Sequence, residues 1–226
     1  MPSKRLKEIH NKTNSESVYL IDEAIKFVKE NSNCKFDETV EVKFKLNVDP
    51  KHADQNLRQS LVLPSGLGKA LKVAVIASGD NVELAKNAGA DFFGSDDLVT
   101  EIASGFLGFD CCISTPDMMA KVGKLGKVLG PKGLMPNPKL GTVTTDVETA
   151  VKNAKFGQVE VKTDKYGIVH APMGKASFAL DALKANYDAF LDFIKQIKPS
   201  SVKGIYIEAV FVKSTMGPAL RINIKS

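Results

Sequence analysis

The stretch GKLGKVLGPKGLMPNPKLGT, residues Gly123 to Thr142, is rich in lysine, glycine and proline and holds no acidic residue. Widened to Met118–Thr145 it carries five lysines, Lys121, Lys124, Lys127, Lys132 and Lys139, with no carboxylate among them. Pro131, Pro136 and Pro138 forbid one continuous helix. Glycines 126, 130 and 133 would expose backbone N–H groups, and the lysines between them add positive charge. Exposed N–H groups and lysine are the parts of a phosphate-binding surface. The same composition also fits a plain solvated loop.

A second set of candidates lies far away in sequence. KFDET (Lys35–Thr39) places Phe36 just before a strand, among polar residues. An aromatic there can stack on a base or a sugar, or it can simply close a core. STMGP (Ser214–Pro218) offers the hydroxyls of Ser214 and Thr215, a flexible Met216, and Gly217, which has no Cβ to block close approach. It also reads as an ordinary connector between strands.

Other chemistries find little support. GLGKAL (Gly66–Leu71) matches only two glycines of a dinucleotide fingerprint and precedes a strand where it should follow one. A phosphate loop needs Gly-Lys followed by Ser or Thr, yet Lys69, Lys124, Lys127 and Lys175 are followed by Ala, Leu, Val and Ala. His10, His52 and His170 stand at no metal-ligand spacing, so no metal and no cofactor are expected. Cys111 and Cys112 lie in an apolar run, where small buried hydrophobes are the simpler reading. No nucleophile elbow occurs. The chain reads as a binding protein, not an enzyme.

The elements that must position these residues are of two kinds. From 68 to 156 the chain alternates strand and helix. LKVAVIAS (Leu71–Ser78) and FDCCISTP (Phe109–Pro116) are buried strands. NVELAKNAGA, capped at Asn81, DDLVTEIASG, DMMAKVGKLGKVLG from Asp117, and DVETAVKNAKFG are helices, which implies a parallel sheet. The flanks differ. TVEVKFKLNV (Thr39–Val48) alternates strictly, QVEVKTDKYGIVHAP (Gln158–Pro172) reads as a hairpin, and the last 24 residues read as two strands around STMGP. Two helices, YLIDEAIKFVKEN and FALDALKANYDAFLDFIKQI, complete them. Neither flank suffices for a core alone. The expected architecture is therefore α+β and α/β: residues 1–67 and 157–226 form one split α+β domain, and a Rossmann-like α/β domain, 68–156, is inserted in it. Gly66, Gly68 and Gly157 mark the crossings as a hinge.

Charge follows this division. Of 31 basic and 26 acidic residues, the segment 68–156 holds 10 of each, leaving 21 and 16 on the flanks, so the whole excess of +5 lies there. A modest positive excess fits a polyanionic partner. The first 20 residues hold no apolar core of a signal peptide, and no apolar run is long enough to span a bilayer, so no membrane role is expected. Three cysteines give no disulfide framework, and a cytoplasmic setting is expected.

GKVLGPKGLMPNPKLGTV resembles the signature of the bacterial ribosomal protein L-one family. FDETVE, DPKHADQNLRQSLVLPSGLGK, AGAD, TPDMMAKVGKLGKVLGPKGLMPNPK, HAPMGK and STMGPALRIN also look like family motifs in family order, over nearly the whole chain. The resemblance implies the split architecture and a place in the mobile stalk of the large ribosomal subunit. It implies three RNA partners: stalk ribosomal RNA, the tRNA leaving the exit site, and the messenger of the protein's own operon, whose translation the family represses. The free chain would be a monomer. Carried over by motif, the RNA-binding residues would be Lys35, Phe36 and Thr39, His170 from HAP, and Ser214, Thr215, Met216 and Gly217. Lys127, Lys132 and Lys139 would form a secondary RNA-facing loop. In such a site the hydroxyls of Thr39 and Thr215 would bond ribose 2′-OH groups.

Overall fold

The computed structural model describes residues 8, 9, 11, 13, 17–52 and 54–224. Arg5 and His10 lie outside the described residues, as does most of the N-terminal stretch. The fold is mixed α/β. The chain divides into two compact units, Met1–Gly68 with Val159–Ser226, and Lys69–Gln158.

The first unit is built on a five-stranded sheet. Its strands are β1 (Val18–Tyr19), β2 (Thr39–Leu46), β8 (Ile168–Lys175), β9 (Ile207–Ser214) and β10 (Leu220–Ile222), in the order β1-β10-β9-β2-β8. β2 sits between β9 and β8, antiparallel to both. Its alternation sets the faces: Val40, Val42, Phe44 and Leu46 are buried, while Thr39, Glu41, Lys43 and Lys45 turn outward. Helices α1 (Ile21–Glu30) and α7 (Leu180–Gln196) lay Ala24, Ile25, Val28, Leu183, Tyr187, Phe190 and Ile194 on the buried face. Fully burying one such side chain stabilises by about 1.5–3 kcal/mol, so this face fixes the register of the sheet.

The hairpin expected at 158–172 does not form as one sheet. β7 (Gln158–Lys162) pairs instead with β3 (Arg58–Val62) in a separate two-stranded sheet, and one isolated bridge, Thr163 to Val169, joins it to β8. A tight turn closed by Asp164 and Gly167 connects the two, but each strand has a better apolar partner elsewhere: Val159 and Val161 join Leu57 and Leu63 in the core.

The second unit has three parallel strands, β4 (Val73–Ile76), β5 (Phe92–Gly94) and β6 (Cys111–Ser114), in the order β5-β4-β6. α2 (Asp80–Asn87) and α6 (Val147–Phe156) cover one face of β4; α3 (Asp96–Ala103) and the segment after β6 cover the other. Asn81 does not cap α2. The helix begins at Asp80 behind Gly79, which has φ 60° and no side chain to cap with. Asp146 does cap α6, accepting the Thr149 N–H at 3.1 Å.

Candidate nucleic-acid interface

The lysine-rich stretch is more ordered than its composition implies. In place of one helix from Asp117 it forms short turns: 3-10 segments at Pro116–Met118 and Gly123–Leu125, and helical turns α4 (Met119–Val122) and α5 (Gly126–Leu129). Met118, Val122, Leu125 and Leu129 plug the core beside α3. Four buried apolar side chains are anchors that a freely solvated loop lacks.

The glycine backbone, however, is not presented to a ligand. The Gly126 N–H donates to the Gly123 carbonyl. Gly130 N–H donates to Gly126 O at 2.9 Å, and Gly133 N–H to Gly130 O at 3.0 Å. A Cβ at Gly130 would sit 2.5 Å from that same Gly126 oxygen, so glycine is required there by packing. The expected cradle of N–H groups is therefore absent. What remains is charge. Lys124, Lys127, Lys132 and Lys139 are exposed, while Lys121 is paired to Asp96 at 2.5 Å.

The two distant motifs of the first unit do meet. β2 and β9 run side by side with Val40 opposite Ser214, which brings Thr39 beside Thr215. The Thr215 hydroxyl accepts the Thr39 N–H at 3.0 Å and donates to the Thr39 carbonyl at 3.2 Å. Glu38, 1% exposed, accepts the Met216 N–H at 3.0 Å. On the other side, Lys175 Nζ donates to Thr39 Oγ1 at 3.0 Å, Ala176 N–H to Glu38 O at 2.8 Å, and Ser177 Oγ to Asp37 at 2.7 Å. Residues 37–39 are thus stapled on both flanks, and the staples present Phe36, 54% exposed, and Met216, 47% exposed.

This geometry changes several expected roles. Phe36 does not close the core. Ser214 is 2% exposed, so it offers no hydroxyl at the surface. The Thr215 proton is committed to Thr39 O, leaving that oxygen able to accept but not donate. Thr39 Oγ1 accepts from Lys175 and keeps its own proton for an outside acceptor. A Cβ on Gly217 would meet Ser214 Oγ at 2.5 Å, so that glycine is needed inside the turn, whatever approaches from outside. Glu38, Lys175 and Ser177 escaped the candidate set. Glu38 lies inside KFDET and Lys175 inside HAPMGK, while Ser177 stands two residues beyond the latter.

His170 is not part of this patch. It lies on β8 opposite Lys43, five residues from Lys175, or about 17 Å along the strand. Its Nε2 stands 3.3 Å from Asp164 Oδ2. Burial works to raise the Asp164 carboxyl, but the N–H groups of Ile168 and Tyr166 and the His170 ring outweigh it and hold the carboxyl below its ordinary value. Lys35 is exposed beside Phe36. Gly66 is buried, its carbonyl accepting from Asn186 Nδ2 at 3.0 Å, and a Cβ on Gly68 would collide with Phe178 at 2.6 Å. Gly66 and Gly68 both pack against residues of the first unit. Gly157, with φ 131°, closes α6 in the second.

Burial pushes the Cys111 thiol up to about 11 and that of Cys112 to about 12, so neither is a nucleophile near neutral pH. No helix among the described residues is long and apolar enough to cross a membrane.

Residues 28–218 match the model of the Ribosomal protein L1p/L10e family. The chain is 54% identical over 220 residues to the large ribosomal subunit protein uL1 of Lactobacillus gasseri, covering 97% of this chain and 96% of that protein. It is likewise 54% identical over 224 residues to uL1 of Neisseria meningitidis, covering 99% and 97%. Taken with the mixed α/β fold, these matches establish that the chain belongs to the Ribosomal protein L1p/L10e family.

Proposed function

We propose that this chain is a structural, non-enzymatic protein of the large ribosomal subunit that works in the cytoplasm and grips stalk ribosomal RNA with its first unit. The division of labour follows the two compact units, the split unit binding RNA and the Rossmann-like insert serving as a second, weaker RNA-facing body. The observation that carries this reading is the junction of residues 37–39 with residues 214–217: two motifs about 175 residues apart are pinned together, with Phe36 and Met216 exposed at the junction and Thr39 half-buried. The patch is built by internal hydrogen bonds before any ligand arrives. Such preorganisation lowers the ordering cost of binding.

The roles beyond the ribosomal site follow from family resemblance. The protein contacts the tRNA leaving the exit site, Lys127, Lys132 and Lys139 form a secondary RNA-facing loop, and the protein represses its own operon by binding a messenger element shaped like the stalk. His170 extends the contact along β8. The hinge lies at the two crossings, at Gly66, Gly68 and Gly157. The free protein is a monomer.

A filter-binding titration tests the reading. The parent protein should hold a stalk-RNA hairpin and bind DNA of the same sequence far more weakly. Met216→Asp should lower the RNA affinity tenfold or more, because a carboxylate would be placed against phosphate. Equal binding by Met216→Asp and the parent would remove the patch from the interface.

A further inference from the structure

One face of the five-stranded sheet carries the helices; the other is turned outward. Cross-strand register sets four residues in a line across that outer face. Arg221 of β10 stands opposite Phe211 of β9, Phe211 opposite Lys43 of β2, and Lys43 opposite His170 of β8. Neighbouring strands lie about 4.8 Å apart, so the row is about 14 Å long.

Phe211 is out of place as a core residue. Its neighbours Val210 and Val212 are buried in the core, whereas Phe211 is half-buried and belongs to none of the hydrophobic clusters. Packing against the stems of neighbouring lysines would explain an aromatic there. It would not explain the charge pattern around it. Lys213 pairs with Glu41 at 3.3 Å and Lys45 with Glu208 at 2.7 Å, so the lines on either side are neutralised. Lys43 and Arg221, which flank the ring, have no ion pair among the described residues. The row thus reads cation, aromatic ring, cation, imidazole.

We propose that this row binds unpaired RNA nucleotides: a base stacks on Phe211, and the phosphates beside it are held by Lys43 and Arg221. The inference rests on the reading of the patch as an RNA site. The two surfaces lie on one sheet, since Thr39 is four residues along β2 from Lys43 and Thr215 four along β9 from Phe211, each about 14 Å, with the Glu41–Lys213 pair between them. A duplex hides its base faces, so the occupant is single-stranded. Open sheets of comparable width stack two or three bases on such aromatics. The row therefore extends the grip from the folded hairpin to the strand that leaves it.

The test uses the full chain and two RNAs: a stalk hairpin trimmed to blunt ends, and the same hairpin with five unpaired uridines added to either end. For the parent, a tail should tighten binding by about five-fold or more, the lower bound for stacking one base. Phe211→Leu should cancel that gain and leave the trimmed RNA bound as before, while Phe211→Tyr, which keeps the ring, should retain it. Lys43→Gln with Arg221→Gln should lower the salt slope for the tailed RNA by up to about 1.4, at roughly 0.7 per single-strand phosphate neutralised. A parent that binds the trimmed RNA but ignores both tails overturns the inference and leaves the patch intact. So does a Phe211→Leu protein that keeps the full tail gain. A parent that binds neither RNA overturns the patch reading, and this inference with it.

Discussion

The stapled patch of the first unit and the lysine arc of the second are opposite kinds of surface. The patch holds Phe36, Thr39, Thr215 and Met216, none of them charged, in a frame of internal hydrogen bonds. The arc holds exposed lysines on turns whose backbone N–H groups are already used. Charge without a shaped frame attracts any polyanion; a shaped frame without charge discriminates among them. The contrast teaches that lysine and glycine content marks where a polyanion can be drawn in. Where it is recognised is decided by which hydrogen-bonding groups remain unused after folding.

Separating the two units should have the largest effect. A protein joining 1–68 to 159–226 by a short linker should keep most of the affinity for stalk RNA, while the isolated 69–158 unit should lose it by a hundredfold or more. Strong binding by the isolated insert in a filter assay would reverse the assignment. Each unit has its own buried core, so both should fold.

Next in size is the frame itself. Glu38→Ala leaves the Met216 N–H without this acceptor, and leaving a buried hydrogen-bonding group unsatisfied costs about 1–3 kcal/mol. RNA affinity should fall by about ten-fold or more, with an unchanged salt slope. Glu38→Gln, which keeps an acceptor oxygen, should recover part of the loss. Equal affinities in all three proteins would show that the frame does not shape recognition.

A smaller effect is expected at the arc. Changing Lys127, Lys132 and Lys139 together to alanine should weaken binding similarly across RNA sequences. The salt slope should fall by at most about 0.7–0.9 for each phosphate that is no longer neutralised. An unchanged slope would mean that these lysines only solvate the surface.

The smallest effect concerns stability. Asp91 accepts the Val73 N–H at 2.9 Å and Asp110 the Lys72 N–H at 3.2 Å, so both hold the start of β4. The Val73 N–H bond first, then Lys155, lowers the Asp91 carboxyl; Lys69 first, then Lys72, lowers that of Asp110. A depressed carboxylate stabilises the fold above its unfolded value, near 3.8, and loses that contribution as pH falls through the folded value. The insert should therefore begin to lose stability only below about pH 4, and Asp110→Asn should flatten this acid limb in a circular-dichroism titration.

Side-chain period was the most legible feature of the sequence. The strict alternation of Thr39–Val48 gave the two faces of β2, and Asp146 with its following apolar spacing gave α6. Pairing was not legible, because it depends on distant partners: nothing local in QVEVK shows that it joins RQSLV and not the strand after its own turn. The fate of polar groups was hidden for the same reason. Ser214 and the glycine N–H groups looked available because their partners are set by the folded turn. Phe36 by itself reads better as a core residue, yet in the fold it is exposed and Glu38, two residues on, is buried.

The central claim is that shape in the first unit, not charge in the second, selects the RNA. The most direct test is one filter-binding series on stalk RNA with the parent, Met216→Asp and the triple lysine variant, each at several salt concentrations. Met216→Asp should lose affinity at every salt, with a loss that shrinks as salt screens the added carboxylate, and the lysine variant should keep most of its affinity with a shallower slope. Parent-like binding by Met216→Asp, together with abolished binding by the lysine variant, would contradict it.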